Sequence, residues 1–149
     1  MIFMLAGEEY GLEILKVQEI RGNAQLTRIP NAPAHLLGAL NLRGIIIPVV
    51  DLRKRFDLPK AERTRNTVVI VLSVTDSIGR RVMGIVVDGV SGVIDVNAAD
   101  IRAAPDLGGV VHAEFIMGMT LTGGRTVILL DSDRMLADDV PAALQGAQH

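Results

Sequence analysis

Few residues in this chain have the types and spacing that covalent chemistry needs. The closest approach to a serine nucleophile is Gly89-Val90-Ser91-Gly92. A nucleophile elbow requires Gly-x-Ser-x-Gly on a strand-to-helix turn that exposes the hydroxyl beside backbone donors, whereas Ser91 precedes another apolar strand and reads as a hairpin residue. His35, His112 and His149 lie far apart, and none has an acidic or histidine neighbour at metal-ligand spacing. There is no cysteine, so no thiolate nucleophile, disulfide framework or Cys-ligated zinc is available. Neither Gly-x-x-x-x-Gly-Lys-Ser/Thr nor Gly-x-Gly-x-x-Gly occurs, which leaves no recognisable phosphate cradle. The sequence therefore predicts no catalytic residue, no metal and no cofactor. Asp51 is the main rival to that reading, because it ends the apolar run Ile45–Val50 where the phospho-acceptor of a receiver domain would stand. Such a site also needs a lysine on a later strand and an acidic pair after the first strand, yet Lys60 is the last lysine. Asp51 reads better as the cap of the following turn, and Asp131 likewise.

What remains informative is a possible ion pair. Glu19 stands in Val17-Gln18-Glu19-Ile20-Arg21-Gly22 and Arg43 in Asn41-Leu42-Arg43-Gly44, each near glycine at a strand end. If a barrel brings these ends together, carboxylate and planar guanidinium fix the shape of a shallow groove with polar edges. The alternative is an ordinary surface salt bridge worth under about 1 kcal/mol.

The elements that must position these residues are strands. Apolar segments are short, β-branched and punctuated by glycine, with candidates at 2–5, 10–14, 17–20, 26–29, 39–42, 45–50, 67–74, 82–87, 90–96, 116–121 and 126–130. Short helices are expected at 34–37, 52–56 and 132–137, with Asp51 and Asp131 or Ser132 as N-caps. Hydrophobic residues form 49% of the chain against 21% charged, a balance that excludes intrinsic disorder. Ile45–Val50, interrupted by Pro48, falls far short of the roughly 20 apolar residues that span a bilayer. Met1–Leu5 lacks a basic lead-in, so no secretory segment is expected.

A net charge of -2 gives no general attraction to phosphate polymers, and nucleic acid is not an expected partner. Arg53, Lys54, Arg55, Lys60, Arg63 and Arg65 nevertheless stand against only Asp57 and Glu62. This basic stretch reads as a solvated linker or as a contact for something acidic.

A faint repeat organises the chain at a separation of 80 residues: Gly38 with Gly118, Gly44 with Gly124, and Asp51 with Asp131. Ile47–Val50 matches Val127–Leu130, each run ending at Asp before a short helix. Three identities among glycine-rich strands can arise by coincidence; a duplicated barrel is the alternative that also explains the hydrophobic runs Val68–Leu72 and Ile85–Val87, which would be buried on both sides where two lobes meet.

Several longer motifs are more specific. Glu9–Gly22, Asn41–Arg53, Asn66–Leu72, Gly84–Ser91 and Ile101–Pro105 follow one another as in CheW, the bacterial chemotaxis coupling proteins, and the chain resembles that family over about residues 2–137. The resemblance implies a mainly β protein of two SH3-like five-stranded barrels on a shared hydrophobic core, with few short helices. It forms a single domain whose lobes are expected near 10–65 and 66–131, with the N-terminal strand and C-terminal helix packing across them. It further implies a non-catalytic adaptor, cytoplasmic and recruited to the inner face of the membrane only through receptor arrays. That adaptor joins the cytoplasmic tip of chemoreceptors to the regulatory domain of the histidine kinase CheA, and self-associates in those arrays. The same fold would serve flagella, pili or another output. Carried over by position, the receptor-facing residues are Val17, Glu19, Gly38, Arg43 and Gly44, and the kinase-facing residues are Val93, Arg102 and Leu107. Leu107 stands where relatives often carry Phe, and extra residues occur around Thr75–Gly79.

Overall fold

The computed structural model describes residues 1–22, 24–31, 35–59, 61–76, 79–103 and 113–136. In chain order the strands are β1 (Ile2–Leu5), β2 (Glu8–Gly11), β3 (Val17–Gly22), β4 (Leu36–Leu42), β5 (Ile45–Asp51), β6 (Val68–Asp76), β7 (Gly79–Val87), β8 (Gly89–Gly92), β9 (Ile116–Thr122) and β10 (Arg125–Leu130). Short helices α1 (Leu52–Arg55) and α2 (Ser132–Leu136) follow β5 and β10. Three hairpins turn through pairs of positive-φ residues, Ala6-Gly7 (51° and 81°), Arg43-Gly44 (52° and 85°) and Gly123-Gly124 (55° and 76°), the type I′ geometry that matches the twist of antiparallel strands. Asp51 caps α1 by accepting from the Arg53 N–H at 3.1 Å, and Asp131 accepts from the Arg134 N–H at 3.2 Å.

The strands form two five-stranded sheets, ordered β3-β6-β7-β5-β4 and β8-β1-β2-β10-β9. Each is antiparallel except for one parallel contact, β5 with β7 and β10 with β2. The division expected near residue 65 is not where the sheets divide. β6 and β7 complete the sheet of β3, β4 and β5, while β1 and β2 complete that of β8, β9 and β10. Each repeat thus lends its leading hairpin to the other. The periodicity locates the repeats but says nothing about which sheet a hairpin joins.

Burial bears this out. Val69 and Val71 point into the first barrel with Leu40, Leu42, Ile47 and Val49. Ile70 and Leu72, alternating with them, point into a second cluster shared by both sheets, with Phe3, Leu5, Tyr10, Phe56, Ile85, Met135 and Leu136. Phe3 stacks on Tyr10 at 5.7 Å between ring centroids and Tyr10 tilts against Phe56 at 6.0 Å. Each such side chain contributes roughly 1.5–3 kcal/mol on burial, so most of the fold's stability lies between the sheets.

The separation of 80 residues is a structural equivalence. Gly38 on β4 and Gly118 on β9 occupy matching irregularities in strand register. A Cβ at either would lie 2.7 Å from a carbonyl oxygen, of Thr27 and of Arg102 respectively. Those crossing segments form the matching bridges Thr27–Ala39 and Arg102–Met119. The Asp51 N–H donates to the His35 carbonyl at 2.7 Å, as the Asp131 N–H does to Phe115 at 2.8 Å.

Three expected elements differ. Leu36 and Leu37 open β4 instead of ending a helix, because Leu36 pairs with Val50 and enters the shared core; Ala34 lies outside the described residues. The strand expected at 26–29 is reduced to the bridge at Thr27, and the one expected at 90–96 ends at Gly92.

Ion pairs fasten both crossovers between sheets. Arg53 donates through Nε and Nη2 to the two oxygens of Asp88 at 2.9 and 2.6 Å, and Asp88 also accepts from the Ala6 N–H at 2.8 Å. In the other half Lys16 Nζ donates to Asp133 at 2.9 Å, and Asp133 accepts from the Thr75 N–H at 2.9 Å. Arg53 and Asp133 are themselves 80 residues apart, so the latch recurs with its charges reversed.

Phe3→Ala is expected to cost about 3–5 kcal/mol while urea unfolding, followed by circular dichroism, remains one transition, since the larger core cluster is built from both sheets. The hydrogen bonds from Arg53, and then that from Ala6, hold the Asp88 carboxyl below its usual range against the opposing effect of burial. Its contribution is therefore complete above the unfolded-chain value near 4 and is lost as pH falls through the lower folded value. Asp88→Asn should destabilise by about 1–3 kcal/mol at neutral pH, with the gap to the parent protein closing in acid denaturation curves.

Candidate functional site

β3 and β4 are the two edges of the first sheet, and the expected ion pair spans them. Arg43, at the turn between β4 and β5, donates through Nη1 and Nη2 to Glu19 Oε1, both at 2.9 Å. Arg21 Nε lies 3.3 Å from the other oxygen of Glu19, so this carboxylate has a guanidinium on each side. The Glu19 side chain is 25% exposed and that of Arg43 71% exposed. A pair so open to water contributes little stability, at most about 1 kcal/mol. What the geometry secures is shape: one face of the Arg43 fork is anchored and the rest faces outward.

Local backbone geometry explains the placement. Arg43 itself takes the left-handed conformation, unusual for a side-chain-bearing residue, and this turns its side chain back across the barrel mouth. The next residue, Gly44, holds the turn, its N–H donating to Asn41 Oδ1 at 3.0 Å. On β3 a register irregularity separates Val17 from Glu19. Val17, half-buried, packs on the shared core, while Glu19 pairs with Val71 on the first barrel's side.

Of the five residues expected to face a receptor, Glu19, Arg43 and Gly44 come together, and Val17 begins the same strand as Glu19. Gly38 is different. It is buried beneath Leu26 and Thr27, so the close approach it permits is that of its own chain. Sequence reasoning missed Arg21, together with the exposed Ile20, Ile45 and Ile46. The signal was present in β3, where polar Glu19 and Arg21 are half-buried and Ile20 between them faces water, the reverse of an ordinary amphipathic edge.

The second lobe carries a separate apolar surface. Val93 is 60% exposed, and Ile94, Val96, Ile101, Met117 and Leu129 line a cavity of about 260 Å³ just beyond it. Met117 and Ile14 on its rim are also exposed. Arg102, exposed, crosses β9 beside this cavity through its bridge to Met119. Leu107 lies outside the described residues.

Residues 1–140 match the family model for the CheW-like domain. The chain belongs to the CheW-like family. It is 47% identical to the chemotaxis protein CheW of Klebsiella aerogenes over 93% of this chain and 81% of that protein. It is 35% identical to the chemotaxis protein CheW of Rhizobium meliloti, over 92% and 86%. Among solved structures, the scaffolding protein TtCheW of Thermoanaerobacter tengcongensis superposes with a TM-score of 0.80 at 31% identity, covering 91% of this chain and 89% of that one. The mainly β architecture of two five-stranded sheets with few short helices is thus that of a CheW scaffold.

Within this CheW-like fold, Gly38→Ala forces a methyl group against the Thr27 carbonyl and should cost about 1–3 kcal/mol. Hydrogen exchange checks the cause: the Thr27 and Ala39 amides, which bond each other's carbonyls, should lose protection ahead of the β6–β7 amides.

Proposed function

We propose that this protein is a non-catalytic adaptor that couples chemoreceptors to the histidine kinase CheA in bacterial chemotaxis. It acts from the cytoplasm, reaches the membrane only through its receptors, and self-associates in their arrays. The observation that supports this reading is that the Glu19–Arg43 pair and the apolar recess near Val93 lie in different lobes joined by a shared core. The first surface, in the lobe of β3–β7, joins the anchored Glu19–Arg43 pair to Val17, Gly44 and the exposed Ile20, Ile45 and Ile46, and takes the receptor tip. Gly38 supports that surface from beneath. The second, around Val93 and Arg102, offers an apolar recess to CheA, with Leu107 as a further contact.

Because the lobes share a core, force or displacement at one surface is felt at the other without an internal hinge, which is what a coupling element requires. Small surfaces of this kind bind weakly one at a time and gain strength when many copies act together. Chemistry at Asp51 has no part in this scheme, since its Oδ1 is engaged in capping α1.

Co-sedimentation with receptor-bearing membranes and CheA tests the proposal, with binding of both expected at tens of micromolar and absence of either counting against it. Arg43→Glu should weaken receptor binding severalfold. Adding Glu19→Arg restores part of the loss, limited by the repulsion it creates with Arg21. Val93→Glu should weaken kinase binding alone, and loss of receptor binding in that variant would overturn the two-surface assignment.

A further inference from the structure

The basic stretch between Arg53 and Arg65 divides in the fold into engaged and free cations. Arg53 is held by Asp88 and the Pro59 carbonyl. Arg55 lies 4.8 Å over the Phe115 ring and donates to the Met135 carbonyl. Lys54 and Arg63 are instead exposed and line an open groove of about 1260 Å³. Arg28, from the connection between β3 and β4, lines the same groove. Among the described residues, none of these three side chains has a hydrogen-bond or ion-pair partner. The remaining lining is largely aliphatic, including Leu26, Ile29, Leu36 and Leu37. The nearest carboxylates in the adjoining recess, Asp51 and Asp88, are occupied with the α1 cap and Arg53, leaving exposed Glu62 as the one opposing charge described there.

Three unpaired cations from three chain segments around an aliphatic floor do not serve the fold's stability, and they oppose the chain's net charge of -2. We propose that this groove is a third docking surface, distinct from the Glu19–Arg43 site, which receives a protein segment presenting Asp or Glu carboxylates beside aliphatic side chains. The carboxylates meet Arg28, Lys54 and Arg63, and the aliphatic groups cover Ile29 and Leu37. A phosphate polymer suits it less well: its bases would find no ring to stack on, since all four aromatic side chains are buried.

Fluorescence anisotropy of the full chain with a fluorescein-labelled peptide of alternating Glu and Leu tests this. Saturable binding is expected, weakening as salt is raised and falling about fivefold to tenfold on Arg28→Glu or Arg63→Glu, with Arg43→Glu leaving it unchanged. Methyl chemical shifts of Ile29, Leu36 and Leu37 should move on binding. All three cations are exposed, so the variants should keep the parent melting temperature. Absence of saturable binding, unmoved methyl signals, equal loss on Arg43→Glu, or equal affinity for polyglutamate or single-stranded oligothymidine would each overturn the proposal.

Discussion

Everything in this fold depends on β6 being buried on both faces. Val69 and Val71 fill one interior while Ile70 and Leu72 fill the other, so a single strand closes a barrel and builds the contact between barrels. A chain of this length cannot give each small barrel a generous core of its own. Sharing one strand and its hairpin between two interiors resolves that shortage, at the expense of independence, since the larger cluster draws on both sheets.

That constraint also decides where binding can occur. With β6 buried on both faces, the sheet edges, the hairpin tips and the connections between strands carry the accessible surface among the described residues. The candidate surfaces lie there: Glu19 on an edge strand, Arg43 on a turn, Val93 beyond the end of β8. Loops and edges held by a rigid scaffold are where recognition usually resides. Here the Thr27–Ala39 bridge also covers part of the edge of β4, which limits strand-to-strand association with another copy.

Much of the fold was legible because local signals agreed with the final structure. The caps at Asp51 and Asp131 and most of the β-branched runs correspond to an observed helix start or strand. The equivalence of Gly38 and Gly118 was visible as spacing, though its cause was not, since the carbonyls of Thr27 and Arg102 come from segments with no regular pattern. Leu36 illustrates a different limit: Ala34-His35-Leu36-Leu37 has helical composition, yet Leu36 pairs with Val50 and opens β4 with Leu37. The exchange of hairpins was illegible in principle, because pairing within a repeat and pairing between repeats bury the same residues. Of the candidate site, the Glu19–Arg43 contact was readable as a possibility, whereas Arg21 and the exposed isoleucines required knowing which face of β3 looks inward.

The reversed latches bear on that ambiguity. If each hairpin folded back onto its own repeat, α1 would meet the crossover that leaves β2 and α2 the one that leaves β7. Arg53 would then face Lys16, and Asp133 would face Asp88, like charges in both places. Opposite signs at equivalent positions thus discriminate between two topologies that hydrophobicity alone leaves degenerate, and a duplicated sequence acquires a unique way to thread itself.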